Sequence, residues 1–422
     1  MAEKNKYRSL RGMPDILPEE AAAFHMVEDK ARKIFRMFEF SEICTPILEE
    51  TTVFVRSIGE DTDIVEKEMY SLKDRNDKDI SLRPEGTASI IRAFIEHRLH
   101  KDRDITKLFY VGPMFRRERP QKGRLRQFHQ IGAEIIGIPR SGIYHDVELI
   151  INAGAVLKGI GIDKAELNLN SLGCKKDREK YKKVLSDHLL KSKDELCENC
   201  QRRISSNVLR VLDCKSKICK NIVENSPKIS DRLCGECSSH YDGIKGALKG
   251  LGIKFKENHN LVRGLDYYTG IIFEINHSSL GSQDAIAAGG RYDDLTKEMG
   301  GPDVGAIGYA IGVERALLAI GEEKKPKISK GVLVIAVDSV YMTEALKTVN
   351  LLRGKYIVCE IDAAGKSLKA AMRRANREKR KNVILIGEDE IKSKKFLLKN
   401  METGDQETLT IEEIVERLKG EG

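Results

Sequence analysis

The sequence has no long apolar run. Its longest stretch free of Asp, Glu, Lys and Arg is residues 304–313, ten in all, about half of the ~20 apolar residues a helix needs to cross a bilayer. That excludes a helical membrane anchor and predicts a soluble protein with no membrane partner. The opening residues, MAEKNKYRSLRGMPD, hold neither an apolar core nor a small-residue cleavage site, so no secretory signal is read there and a cytoplasmic protein is expected. The P-loop pattern G-x-x-x-x-G-K-S/T is missing, which argues against ordinary P-loop nucleotide binding. Self-similarity with a period of ~20–50 residues is also lacking.

Charge of both signs is abundant. The 422 residues are 41% apolar and 33% charged, with 73 Lys and Arg against 65 Asp and Glu, a net +8. At ~150 residues per domain the length predicts two or three domains, with enough apolar residues for a core in each, which excludes a fibrous or disordered chain. The basic surplus is local. Residues 116–126 hold six basic residues against one acid, a charge of +5, and residues 366–381 hold eight against one, +7, so the remainder of the chain is net −4.

Residues 18–38 place Phe24, Val27, Ala31, Ile34, Phe35 and Phe38 on the stripe of an amphipathic helix, and Pro18, Glu19 and Glu20 suit its first turn. The strand-like run FEFSEICTPILEE follows, interrupted by Pro46, which cannot donate to a sheet ladder and so belongs at an edge or an interface. Residues 107–115 and 128–138 predict an antiparallel hairpin around the arginine-rich stretch; residues 146–158 predict a helix and 165–170 a strand. From 173 to 250 the chain turns Lys-rich and helical in pattern and holds seven of the nine cysteines, as an inserted module would. Strand-like residues 268–275 and the glycine-rich AIAAGGRYDDL come next. After a Lys/Pro linker at 322–330, alternating strand and helix patterns (GVLVIAV, 341–352, YIVCEI, 366–380, NVILIG) predict a βαβαβ unit with a parallel sheet.

Chemistry concentrates in FRRERPQKGRLRQFHQ at 115–130. Arginines on strands beside a loop can fork onto phosphate oxygens, and Phe128 offers a face to a base, so a purine triphosphate is the ligand these residues fit; the plain alternative is a solvated basic loop. RPEGT at 83–87 sets a carboxylate beside a glycine and a hydroxyl at a turn. RGLDYYTG at 263–270 has adjacent tyrosines that would face opposite ways on a strand, one in the core and the other lining a pocket with Arg263. Gly289 and Gly290 predict close approach of the backbone to a ligand or a neighbouring strand, or a bulge. In GAIGYAIGVER at 305–315, small residues let a strand and a helix pack closely, and Arg315 at their junction could reach phosphate or stack on a base.

Together these segments resemble the histidyl-tRNA synthetases, a family of class II aminoacyl-tRNA synthetases, from RGMPDILPEE at Arg11 through the C-terminal α/β region. The long helix with TPILE is similar to class motif 1, FRRE and its basic loop to motif 2, and GAIGYAIGVER to motif 3; LVRGLDYYTG and AAGGRYDDL resemble the histidine-specific signatures. Leu125 departs from the aromatic common in the motif 2 loop. The resemblance implies an α+β catalytic domain over 1–325, built on the class II antiparallel sheet with flanking helices; a helical, cysteine-containing insertion at 174–250; and an α/β anticodon-binding domain at 328–422. It implies ATP-dependent attachment of L-histidine to tRNA(His) through histidyl-adenylate, with Mg²⁺ accompanying ATP, no organic cofactor, and a homodimer joined through motif 1.

Carried onto this sequence, the family's roles make Arg116 and Arg263 the catalytic residues. Arg116 would hold the α-phosphate of ATP, Glu118 the adenine amino group and Arg124 the γ-phosphate, with Arg315 over the adenine opposite Phe128. Histidine's amino group would be met by Glu85, Thr87 and Gln130, beside Gly86. Its imidazole would be read by Glu134 and Tyr268, with Tyr267 and Tyr292 completing the pocket, and Arg263 would contact both the histidine carboxylate and the α-phosphate. Arg119 and Gln121 would meet the acceptor end of the tRNA.

Two other classes of function account for parts of the sequence. A synthetase-like regulatory subunit that senses histidine for ATP phosphoribosyltransferase would lack the anticodon domain and several motif arginines, and this chain keeps both. A plain RNA-binding module would explain the basic segments but not the histidine signatures. Cys197-x-x-Cys200 and Cys234-x-x-Cys237, with Cys214 and Cys219 between, have spacing suited to tetrahedral zinc; free buried thiols are the alternative, since the family fold does not require a metal there.

Overall fold

A computed structural model describes residues 7–59, 62–281, 284–326, 328, 330–363 and 367–420 and divides into two units, Met1–Pro326 and Lys327–Gly422. In the first unit, eight strands run in the order Ser41–Glu42, Thr106–Phe115, Gln127–Ile138, Gly305–Gly312, Ala285–Arg291, Thr269–Asn276, Glu166–Ser171 and Lys256–Glu257. The six central strands pair antiparallel, and a two-residue strand adds in parallel at each edge.

Period-two alternation assigns the faces of this sheet. Phe109, Ala133, Ile135, Phe273 and Tyr309 enter one core, which the helices Pro18–Met37, Tyr144–Gly159 and Gly235–Gly250 cover. Leu108, Tyr110, Ile136 and Ile272 take the intervening positions and enter a second core with helix Thr87–Glu96 and the insertion. The first helix buries Ala23, Val27, Ala31 and Phe35; Phe24, Ile34 and Phe38 of the expected stripe are only half-buried. Pro46 divides the strand-like run as its missing N–H requires. Ser41–Glu42 joins the large sheet, and Leu48–Glu50 joins a separate three-stranded sheet with Asp79–Leu82 and Tyr70–Lys73. The insertion consists of helices Lys175–Leu190, Glu198–Ser206, Lys217–Glu224 and Gly235–Gly250 with short 3₁₀ turns between them.

One local reading of the sequence changes, at the paired tyrosines, and one narrows, at the paired glycines. The strand expected from Tyr268 begins at Thr269, so alternation does not apply to the tyrosines before it. Tyr267 and Tyr268 are both buried in the second core, their ring centroids 4.8 Å apart. Gly289 and Gly290 meet neighbouring strands: a Cβ on Gly289 would overlap the Gly308 carbonyl, and one on Gly290 would lie 2.6 Å from the Ile271 carbonyl oxygen. The ladder also shifts register between Gly290 and Arg291.

The second unit carries a five-stranded sheet in the order Cys359–Ile361, Val332–Ala336, Asn382–Ile386, Phe396–Asn400 and Gln406–Leu409. The first three strands are parallel, as the alternating pattern predicts, and helices Met342–Gly354 and Leu368–Arg377 form the crossovers. The last two strands form an antiparallel hairpin that the sequence pattern did not reveal, because FLLKN and QETL are too short and too polar to show periodicity. Lys366, the first residue of the expected basic helix, and residues 327 and 329 of the linker lie outside the described residues. Among the described residues, no helix is long and apolar enough to cross a membrane.

Candidate active site

A cavity of about 700 Å³ lies in the first unit. The basic hairpin contributes Arg116, Glu118 and Arg124, and the strand that follows it contributes Phe128 and Gln130. Arg263, Tyr267 and Tyr268 enter from the loop before Thr269–Asn276, Arg315 from helix Val313–Ile320, and Glu85 and Thr87 from the start of helix Thr87–Glu96. Glu134 and Tyr292 are buried and do not line the cavity; Arg119 and Gln121 are exposed on the hairpin, also outside its lining.

One end of the site is a chain of buried acids and hydroxyls. Both oxygens of Glu85 accept backbone N–H groups, from Thr87 at 2.6 Å and Ala88 at 2.8 Å, which places a carboxylate at the positive end of a helix. Burial nevertheless pushes its pKa up. Thr87 Oγ1 donates to Glu134 Oε1 at 2.7 Å, and the Tyr292 hydroxyl donates to Glu134 Oε2. Glu134 has no exposed surface, and burial raises its pKa to about 8 against the pull of those two hydrogen bonds. Glycines make this end possible. A Cβ on Gly308 would overlap the Glu134 carboxylate, and one on Gly86 or Gly132 would overlap the Tyr110 ring.

The other end is cationic. The hairpin closes through Arg116 N–H to the Arg126 carbonyl at 2.8 Å and reciprocal bonds between Gln121 and Arg124 at 2.9 Å, with Gly123 at φ +72° between them. Arg116 Nε donates to the Pro84 carbonyl at 2.9 Å, and the guanidinium lies over the Phe128 ring, 5.3 Å from its centroid. The face of Phe128 that the sequence offers to a base is thus in contact with Arg116 here. Arg124 Nη1 pairs with Glu118 Oε2 at 3.2 Å, and Arg263 Nη1 with Glu274 Oε2 at 2.5 Å. Among the described residues, Arg263 Nε and Gln130 Oε1 are buried without a hydrogen-bond partner. Burial, then the neighbouring charge of Arg124, pushes the Arg315 pKa down. Confined like charges and unpaired buried polar atoms are conditions that a polar, anionic ligand relieves.

Other conspicuous residues hold the frame. Arg83 of RPEGT donates to the Pro113 and Thr45 carbonyls at 2.9 and 3.0 Å. Glu314, beside Arg315, accepts from the backbone N of His129 at 2.9 Å and contacts its ring Nδ1 at 2.9 Å, which fastens the helix to the neighbouring strand. Arg291 of the glycine-rich signature is buried and bonded to Asp293, Asp146 and the Gly142 and Pro139 carbonyls.

Sequence reasoning missed Tyr110, Glu274 and Arg210, all of which line the cavity. Glu274 did carry a signal, as the lone charge in the apolar strand TGIIFEIN. Arg210 carried none, because it arrives from the insertion. The cysteines assemble differently from their spacing. Cys197 and Cys200 join Cys214 and Cys219, while Cys234 and Cys237 join Cys174 and Asp177.

Comparison with known proteins accords with this architecture. A family model described as histidyl-tRNA synthetase matches residues 12–316, and one described as an anticodon binding domain matches 331–421. The chain is 46% identical over 408 residues to a histidine–tRNA ligase of Aquifex aeolicus, covering 96% of this chain and 99% of that one. It is 44% identical over 409 residues to one of Syntrophotalea carbinolica, covering 97% of each. The crystal structure of apo S. aureus histidyl-tRNA synthetase matches with a TM-score of 0.79 at 32% identity, over 98% of this chain and 100% of that one.

Proposed function

Because the chain belongs to the histidyl-tRNA synthetase family, we propose that its 700 Å³ cavity is where histidine and ATP react, with Arg263 and Arg116 as the catalytic residues. The activity is ATP-dependent attachment of L-histidine to tRNA(His). The histidine carboxylate attacks the α-phosphate, pyrophosphate leaves, and the histidyl group of the adenylate then passes to the tRNA with release of AMP.

The observation that carries the site assignment is the convergence of Arg116, Arg124, Arg263 and Arg315 on one cavity whose other end is a neutral-biased hydrogen-bonding chain. ATP belongs at the cationic end. Arg116 would hold the α-phosphate and Arg124 the γ-phosphate, Glu118 would take the adenine amino group, and Phe128 and Arg315 would flank the ring. For the first two of these, ATP would replace the Arg124–Glu118 pair and the contact of Arg116 with Phe128. Histidine belongs at the other end, its amino group toward Glu85, Thr87 and Gln130 and its imidazole toward Tyr268 and Glu134. Tyr267 lines that end, Tyr292 would close it from behind through its bond to Glu134, and Gly86 leaves room for the Tyr110 ring beside it. An apolar amino acid would leave these groups unpaired, a mismatch that discriminates by ~10⁴-fold or more. No side-chain nucleophile is needed: Arg263 places permanent positive charge between the carboxylate and the phosphate, where the transition state gathers negative charge.

Mg²⁺ would ride on ATP and neutralise its oxygens. Glu68, Glu118, Glu274 and Asp284 supply hard oxygen donors along the cavity, and such an ion needs only one or two of them beside phosphate and water. Arg119 and Gln121, exposed on the hairpin, would meet the acceptor end of the tRNA. A homodimer through motif 1 is supported by the exposure of Met37, Ile47 and Leu48 around Pro46, apolar surface that a second copy would cover. The cytoplasm is the compartment where this chemistry is used.

Arg263→Ala tests the assignment. Histidine-dependent ATP–pyrophosphate exchange should fall by ~10²-fold or more while thermal unfolding stays near that of the parent. Exchange within a few-fold of the parent would remove Arg263 from the chemistry.

A further inference from the structure

We propose that the insertion binds two zinc ions, one held by Cys197, Cys200, Cys214 and Cys219 and the other by Cys174, Asp177, Cys234 and Cys237. In each set the four ligand atoms all lie within 4.8 Å of one another. Zinc–thiolate bonds of ~2.3 Å in a tetrahedron put neighbouring sulfurs about 3.8 Å apart. Cys197 Sγ and Cys214 Sγ stand at 3.8 Å.

The local structure explains how seven cysteines scattered over 64 residues of sequence meet in two places. Cys174, Cys197 and Cys234 are each the residue before a helix, and Asp177, Cys200 and Cys237 each sit three residues on, in its first turn. Residues three apart share a face of a helix, so every pair presents two ligands from one rigid turn. Cys219 enters the first set from helix Lys217–Glu224, and its sulfur accepts the Cys197 backbone N–H at 3.3 Å. In the second set Asp177 Oδ2 accepts the Cys234 N–H at 3.1 Å. Gly173, at φ +62°, leaves the room: a Cβ there would come within 2.7 Å of the Asp177 Cβ.

The energetics favour a metal over idle thiols. Helices Glu198–Ser206 and Lys217–Glu224 are nine and eight residues long, below the ~12–15 at which an isolated helix becomes even marginal. They bury Cys200, Ile204, Cys219 and Val223 in the second core, and a metal would cross-link their first turns as well. Four soft donors around one point suit zinc, and three thiolates with a carboxylate remain within its ligand range. Binding releases one proton from each thiol, so four leave the first set and three the second, and no oxidant or reductant is consumed. The first site has a further consequence. Arg210, Asp213, Cys214, Lys215 and Lys220 line the 700 Å³ cavity, so a metal at Cys197, Cys200, Cys214 and Cys219 would fix that wall.

The test uses the full-length chain, made in zinc-supplemented medium and purified under reducing conditions without chelator. Elemental analysis should give about two zinc ions per chain, with Cys214→Ser and Cys237→Ser each losing about one and the paired variant losing both. Cobalt loaded in place of zinc should show the visible absorption of tetrahedral Co²⁺ with thiolate charge transfer in the parent, a readout that does not depend on the variants folding. Less than about half a zinc per chain, with no tetrahedral cobalt spectrum, would overturn both sites. One zinc, lost in only one of the two variants, would overturn the other site.

Discussion

On the hairpin, Arg116 and Arg124 line the cavity; in the C-terminal unit, Arg374 and Arg380, from an equally basic stretch, are engaged by carboxylates of their own sheet and helix. Arg374 bonds Glu360, Asp362 at 2.8 Å and Glu378 at 2.9 Å, and Arg380 bonds Glu360, Glu378 at 2.9 Å and the Gly331 carbonyl at 3.1 Å. Arg380 is buried. Net charge over a segment therefore states how many cations there are, not how many a ligand can reach. On helix Leu368–Arg377 and the turn after it, Lys369, Arg373, Arg377 and Lys379 keep exposed side chains, which a phosphate could reach.

The largest effect expected is on removal of residues 328–422: tRNA charging should fall by ~10²-fold or more as the phosphate contacts go, while histidine-dependent pyrophosphate exchange stays within a few-fold. Parallel loss of both would abolish the division between the two basic regions. Next in size is the contrast between Arg380→Ala and Arg373→Ala. The first should lower unfolding free energy by about 2 kcal/mol through loss of charged hydrogen bonds, seen as a lower melting temperature. The second should leave melting unchanged and reduce the slope of log affinity for tRNA against log salt by about one. A reversed pattern would mean that the inward and outward arginines have been misassigned.

The smallest effect is on pH dependence, where the two regions have opposite signs. Hydrogen bonding by Arg374 holds the Glu378 pKa down to about 2 from 4.5, so its contribution is present above about pH 4.5 and disappears as pH falls through about 2. The folded Glu134 pKa is raised from 4.5 to about 8. Between those values the folded state binds more protons than the unfolded one, so stability falls as pH rises across that window. Glu134→Gln should flatten the decline in melting temperature between pH 5 and pH 8. An unchanged slope would mean that Glu134 is ionised in the folded protein throughout that range.

Much of the fold was legible. Pro18 and the Val27, Ala31 and Phe35 spacing mark the first helix, the apolar runs around the arginines mark the central hairpin, and alternating patterns mark the parallel part of the C-terminal sheet, because each signal lies within one element. Arg116, Arg124, Arg263 and Arg315, which line the cavity, were legible as residue types at fixed places in motifs. Tyr110 was not, since nothing in LFYVGPMF distinguishes a residue that fills the space above Gly86 and Gly132. Nor was the partition of the cysteines, where CxxC spacing is equally compatible with one ion or two.

The sequence by itself determined most of the elements, the family and the chemical types available: clustered arginines, carboxylates, adjacent tyrosines, and thiols in the insertion. Only the tertiary structure decided which of these meet. His129 and Glu314 are 185 residues apart in sequence and 2.9 Å apart in space, Arg210 reaches the cavity from the insertion, and Arg374 and Arg380 turn toward Glu360 and Glu378. The physical reason is range. Periodicity and turn chemistry act over a few neighbours, whereas burial, which raises Glu134, and pairing, which engages Arg380, depend on groups that only the packed chain brings together.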